Sequence, residues 1–276
     1  MAKILKIERI ANSYELDQYR TRRIYSKVYD IEVEKNSNFV ANGIVVHNSA
    51  AETYQEVNEK LLNEAYFRIG LTATNFRNDG ADLALEAVLS EVLYEYTVKQ
   101  AFEDGFLVRP KFNIIPISFP SEGKYQDVYR QGIVENVQRN RVISELAIEH
   151  KKDSVIILVQ QIEHGELLKG LIPGSEFING QEKDTMRQKA MADFRKGKLK
   201  CLIGTSVIGE GVDLPIANVL IMAGGGKARS QIIQNIGRVL RLYPGKDGAL
   251  IYDFTDQDGS FLQEHSMLRR EVYSGY

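Results

Sequence analysis

From residue 49 onward the chain repeats one pattern: a short apolar run, a loop of small residues, then an amphipathic stretch. The apolar runs are Phe67–Leu71, Phe112–Ile117, Val155–Val159, Cys201–Ile203, Val219–Met222 and Ala249–Phe254. They are short and mostly apolar, and Val155–Val159, Cys201–Ile203 and Val219–Met222 are apolar throughout, as strands covered on both faces are. Between them lie helical patterns such as Arg141–His150, Thr185–Phe194 and Arg229–Leu240. This alternation predicts an α/β fold with a parallel sheet and helices on both faces. In such sheets ligands gather at the loops beyond the strand C-termini. Gly105–Pro110 reads as a linker and Phe119–Gly123 as a second break.

Residues 1–48 read differently. They hold β-type alternation in Val28–Val33 and on either side of Asn42-Gly43, a strong two-residue hairpin signal. With 276 residues, 35 basic and 37 acidic, the net charge is −2. A polybasic chain is excluded, so any nucleic-acid contact must be local. One cysteine, Cys201, excludes a disulfide framework and a cysteine-based zinc site, and no metal-ligating cluster is expected. No apolar run spans a membrane and no signal peptide opens the chain, so a soluble, cytoplasmic protein with no membrane partner is expected.

Four segments carry chemistry. In Gln231–Arg241 the spacing puts Gln231, Gln234, Arg238 and Arg241 on one helical stripe, opposite Ile232, Ile233, Ile236, Val239 and Leu240. A solvated polar face explains much of that, but two arginines suit phosphate oxygens, which they meet bidentately. In Leu202–Pro215 a short strand ends in Gly204-Thr205-Ser206, where amides and hydroxyls can meet a phosphate. Gly209-Glu210-Gly211 and Asp213 follow. The other two are Gly70-Leu71-Thr72-Ala73-Thr74 and the strand Val155–Gln161.

Together, in this order, the four resemble the later motifs of superfamily-2 helicases, over residues 49 to 276. Gly70–Thr74 is similar to motif III, Ser154–Gln161 to motif IV, Gly204–Asp213 to motif V and Gln234–Arg241 to motif VI. The Gly-Leu-Thr-Ala-Thr form resembles the DNA-repair and recombination branch. The resemblance implies that Arg238 and Arg241 reach the phosphates of ATP, the second as an arginine finger, with Gln234 on the same surface. It implies nucleic-acid contacts for Gly204 and Thr205. Glu210, Gly211 and Asp213 would link that contact to the nucleotide, and Thr72 and Thr74 would couple hydrolysis to strand movement. The phosphate-binding pattern G-x-x-x-x-G-K-[ST] does not occur, and Gly224-Gly225-Gly226-Lys227 runs into Ala228 at the wrong spacing. ATP and Mg2+ would therefore be bound mainly by a lobe carried elsewhere, and the isolated chain is expected to hydrolyse nothing.

The stretch Val28–Val33, then Asn38-Phe39-Val40-Ala41-Asn42-Gly43-Ile44-Val45-Val46-His47-Asn48-Ser49, resembles the C-terminal blocks of an intein, and Met1–Glu8 the opening of a split intein's C-terminal piece. The Asn48 side-chain amide can attack its own main-chain carbonyl and cut the Asn48–Ser49 bond. His47 can donate a proton as the amine leaves. Ser49 offers a hydroxyl to accept the upstream acyl group, and Asp30 occupies the block's acidic position. Where the family usually has a histidine before Asn38, this chain has Ser37. Forty-eight residues are too few for an independent core, so folding coupled to a partner is expected.

These readings give three parts: an all-β intein (Hint) fragment at 1–48, the end of a first RecA-like lobe at 49–112, and a second RecA-like lobe at 113–276. The expected partner is an N-terminal precursor with the P-loop lobe and the intein's N-terminal half. Splicing in trans would give an ATP-dependent DNA helicase or translocase. Two alternatives stay open. One is a gene fragment or non-catalytic nucleic-acid-binding module with an inert intein remnant. The other is a translocase subunit of a restriction or remodelling system.

Overall fold

The computed structural model describes residues 94–119, 122–205, 214–257 and 261–276, with the backbone of four strands nearer the N-terminus. The chain divides into two compact units, Met1–Tyr94 and Glu95–Tyr276. In the first, β1 (Ile4–Ala11) pairs antiparallel with β2 (Val28–Val33). Strand β3 (Asn38–Ala41) pairs antiparallel with β4 (Ile44–His47), Ala41 facing Ile44 and Asn38 facing His47. That register is the hairpin that Asn42-Gly43 predicts.

The second unit opens with α1 (Val98–Glu103), capped by Thr97, whose side chain accepts from the Gln100 amide. Then come β5 (Arg109–Ile117), α2 (Tyr125–Tyr129), a π-turn at Arg130–Val134, and α3 (Val137–Glu149). Next are β6 (Val155–Leu158), α4 (Ile162–Leu171), β7 (Ser175–Ile178), α5 (Asp184–Arg195) and β8 (Cys201–Gly204). Strand β9 (Val219–Met222), α6 (Arg229–Val239), β10 (Gly248–Asp256) and α7 (Phe261–Tyr273) complete it. The six later strands form one sheet in the order β5-β10-β9-β6-β8-β7, and every neighbouring pair is parallel.

Alternate residues of each central strand feed two cores, which is why the strands are apolar throughout. Ile156, Leu202, Leu220 and Ile251 face Phe194 of α5 and Ile232, Ile236 and Val239 of α6. Val155, Ile157, Ile203 and Ile221 face Ile143 and Ala147 of α3 and Leu168 of α4. Helices thus cover both faces, as expected for a RecA-like sheet. Strand β5 starts at Arg109, so the ordered sheet takes in part of the expected linker and runs across the expected boundary between 112 and 113. Edge strand β7 escapes sequence reading because its four residues include Ser175 and the exposed Glu176, which pairs with Lys169. Among the described residues no helix is long and apolar enough to cross a membrane.

His164 on α4 is fully buried, with Nε2 2.8 Å from Asn140 Oδ1 and Nδ1 without a hydrogen-bond partner. Burial, and then the nearby Arg139 charge, lower its pKa to about 4. The unfolded chain takes up this proton near pH 6.5 and the folded one does not. The stability involved is therefore complete above about pH 6.5 and is lost as pH falls toward about 4, a span worth on the order of 3 kcal/mol. Melting followed by circular dichroism should show the midpoint falling between pH 7 and pH 4.5, with a shallower fall in His164→Gln.

Candidate nucleic-acid and nucleotide interface

Strands β9, β6 and β8 are neighbours and parallel, so the loops that follow them leave the same edge side by side. Those loops are Val159–Gln161, the segment from Gly204-Thr205, and Ala223–Lys227. With the first turns of α6 they line one pocket, whose polar walls are Gln160, Thr205, Gly224–Lys227, Gln231 and Asn235. The strand ends are tied together through Val159 N–H to Gly204 O (3.0 Å) and Gly224 N–H to Leu158 O (2.8 Å).

The glycines are required here by contact and by conformation. A Cβ on Gly224 would lie 2.6 Å from the Gln160 nitrogen. Gly226 has a φ of 94°, a region open to glycine, and a Cβ there would meet the Gln160 side chain at 2.2 Å. Two of the loop's carbonyls are held inward. Tyr129 donates its hydroxyl to Gly224 O at 2.7 Å, and Arg269 donates Nη1–H to Gly226 O at 2.8 Å. In a trans peptide the C=O and N–H point opposite ways. The amides of Gly225 and Lys227 are therefore turned away from Tyr129 and Arg269, an arrangement suited to an anion.

Behind the loop, Arg269 also bonds Asp253 Oδ2 through Nε (2.7 Å) and Phe254 O through Nη2 (2.9 Å). Tyr273 adds a second donor to Asp253 Oδ2 at 2.6 Å. Arg139 pairs with Asp256, bonds Gly132 O through Nε at 3.1 Å, and lies over the Phe254 ring at 4.7 Å. Both ion pairs are buried, so each charge depends on its partner. Burial raises the pKa of the Tyr129 phenol, which stays a donor.

Helix α6 buries Ile232, Ile236 and Val239, leaves Ile233 half-buried, and presents Gln231 and Gln234 with the half-buried Arg238. The expected stripe is shorter than predicted, because the helix ends at Val239 with Leu240 as its cap. Arg241 lies beyond it, exposed, in an antiparallel bridge with Leu107. Tertiary partners take the last carbonyls: Val108 N–H bonds Leu240 O at 2.9 Å, and Lys246 takes those of Val239 and Arg241. Pro244 bars further helix in any case. Lys246 Nζ shares its three N–H donors among four carbonyls, Pro215 O (2.9 Å), Ala217 O (2.5 Å), Val239 O (2.6 Å) and Arg241 O (3.2 Å). Burial lowers its pKa to about 8. Lys246 thus ties the backbone just after Arg238 and at Arg241 to the segment that enters β9.

The structure brings Thr205 to this edge, with Gly204 at the end of β8, and places Gln234 on the exposed side of α6 outside the pocket lining. Thr72, Thr74, Glu210, Gly211, Asp213, Asn48 and Ser49 lie outside the described residues. Asp30 and His47 are described only as backbone positions, Asp30 opposite Glu8 and His47 opposite Asn38. Sequence reading set Gly224–Lys227 aside because it fails the phosphate-loop spacing. Three consecutive glycines between a buried strand and a helix were the available signal. Tyr129, Asp253 and Arg269 carried no local signal, because their loop and helix partners are distant in sequence, and Lys246 carried none because its partners are main-chain carbonyls.

Removing one member of the buried pair should cost more than removing a neutral donor. Arg269→Met strands Asp253 and is expected to destabilise the fold by about 3–5 kcal/mol. Tyr129→Phe loses one hydrogen bond and is expected to cost about 1–3 kcal/mol. Urea unfolding of both variants measures the difference.

Residues 138–243 match the family model "Helicase conserved C-terminal domain". The chain is 30% identical over 228 residues to a putative mitochondrial ATP-dependent helicase, irc3, of Schizosaccharomyces pombe, covering 76% of this chain and 37% of that one. It is 24% identical over 229 residues to the ATP-dependent DNA helicase uvsW of Enterobacteria phage T4, covering 78% of this chain and 45% of the other. Its fold is similar to the structure of a fragment of a putative HsdR subunit of a type I restriction enzyme from Vibrio vulnificus YJ016. There the TM-score is 0.62 at 19% identity, over 80% of this chain and 45% of that one. The chain thus spans less than half the length of these relatives. The matched segment, the parallel RecA-like sheet and the relatives agree that this chain carries a helicase C-terminal part.

Proposed function

We propose that this chain is the downstream portion of a superfamily-2 ATP-dependent DNA helicase or translocase. The observation that carries the reading is the pocket at the sheet edge, where Thr205, the outward amides of Gly225 and Lys227, and the exposed Lys227 and Gln160 converge next to α6. Strand phosphates would rest on Gly204, Thr205 and the glycine loop. Arg238 and Arg241 would reach the phosphates of a nucleotide held chiefly by a lobe upstream of these residues, Arg241 as the arginine finger and Gln234 beside them. The glycine loop does not fit as the nucleotide's own cradle. Ala228 stands where a hydroxyl is needed, and the Gly224 and Gly226 carbonyls are committed to Tyr129 and Arg269. When bound, Mg2+-ATP supplies the phosphoryl group whose transfer to water releases free energy. Lys246 would couple the two sites, since it bonds the carbonyls beside both arginines and those of Pro215 and Ala217. Glu210, Gly211, Asp213, Thr72 and Thr74 complete that coupling in this reading.

The finer proposal concerns residues 1–48. Support for an intein C-terminal piece comes from the block resemblance and from the β3–β4 register, which puts His47 at the end of a hairpin strand. Asn48 would cyclise, His47 and Asp30 would assist, and Ser49 would receive the acyl group from an N-terminal precursor carrying the intein's other half. Ser37, in place of the usual histidine, favours the competing reading of an inert remnant on a nucleic-acid-binding module.

Fluorescence anisotropy of the 276-residue chain with single-stranded DNA tests the interface. Lys227→Ala is expected to weaken binding about three- to tenfold and to reduce the salt slope by about one. Thr205→Val should weaken it without changing the slope. Mixing with a matching precursor should give a ligated product by mass spectrometry, absent in Asn48→Ala. That product should hydrolyse ATP in a DNA-stimulated manner, with the rate lost in Arg241→Ala. A chain that binds no nucleic acid overturns the reading.

A further inference from the structure

Two large rings stand exposed beside the glycine loop. Tyr125, the first residue of α2, is 40% exposed, and Phe261, the first residue of α7, is 49% exposed. Their centroids lie 6.0 Å apart at 73°, an edge-to-face pair. Tyr125 also lies against His265 at 5.7 Å and Tyr129 at 5.9 Å. Helix α2 follows β5 and α7 follows β10. These two strands are parallel neighbours, and β10 is next to β9, so both rings leave the sheet at the same edge as the glycine loop. The connection to the loop is direct: the Tyr129 hydroxyl holds Gly224 O, and Arg269, two turns along α7 from Phe261, holds Gly226 O. Lys227 is near enough that, after burial, its charge is the next cause lowering the His265 pKa.

One sheet edge therefore carries two exposed rings and, on the neighbouring loop, a lysine and two amides turned to the far side of that loop. An aliphatic partner would use the rings but leave the lysine and amides without an acceptor. A free phosphate would use the amides but leave the rings in water. A single strand of nucleic acid satisfies both, because each nucleotide carries a flat π-face and an anionic phosphate. Resting on the function proposed above, we propose that Tyr125 and Phe261 form a stacking platform for unpaired bases of a strand whose phosphates lie on the Gly224–Lys227 loop. The platform reads no sequence, since every base offers a face to stack.

The chain has no tryptophan, so a single introduced indole reports on this surface alone. In the full chain, Phe261→Trp and Tyr125→Trp are expected to lose fluorescence on titration with oligodeoxythymidine. An abasic strand of the same length and charge should bind without quenching. Phe261→Leu keeps an apolar side chain but no ring. It is expected to weaken oligodeoxythymidine binding roughly tenfold and to leave abasic-strand affinity and the melting midpoint unchanged. Tyr125→Leu is the second variant, used with the same melting control. If Lys227→Ala weakens binding but neither leucine variant does, or if abasic and base-bearing strands quench alike, the platform is overturned while the interface stands. If the unaltered chain binds neither strand, both proposals fall.

Discussion

Six strands running in one direction force every loop at their C-terminal ends onto a single edge. Catalytic or binding groups far apart in sequence can then meet without any long-range design beyond strand order. Here the order puts β9, β6 and β8 side by side in the middle of the sheet. Gln160, Thr205 and the glycine loop become neighbours although their positions span more than sixty residues. The price of such a sheet is that both faces must be dry, and the two cores on either side supply that condition.

The edge is stiffened from behind by charges that have no water to turn to. Asp253 accepts from Arg269, Tyr273 and the Phe254 amide. Asp256 pairs with Arg139. Apolar substitutes of similar volume could be as stable as these pairs, so their presence is better explained by position than by strength. Arg269 has donors left for the Phe254 and Gly226 carbonyls after meeting Asp253. One planar side chain thus fixes helix α7, strand β10 and the glycine loop together.

Much of this was legible from local pattern. Val219–Met222 was read at its observed bounds, and α3, α5 and α6 were placed within a few residues, because a strong period needs no distant partner. The misses have a common cause. Strand β7 has a polar first half and is recruited by its neighbour β8. Helix α6 ends where Val108 and Lys246 take its carbonyls, so Arg241 leaves the stripe that helical spacing assigns to it. The candidate site divides in the same way. Thr205, Gln234 and the arginines announced themselves by residue type and spacing. Tyr129, Arg269 and Lys246 act through main-chain carbonyls, which have no sequence signature.

The inward grip on the glycine loop has one more consequence. Glycines give up more conformational freedom on ordering than other residues, and a loose loop would surrender that freedom each time a ligand arrived. Here Tyr129 and Arg269 have already immobilised the segment when the domain folds. Ordering entropy is met once, during folding, and a ligand of the kind proposed would find the amides preset. Any displacement of α7 would release the Gly226 carbonyl and slacken this loop.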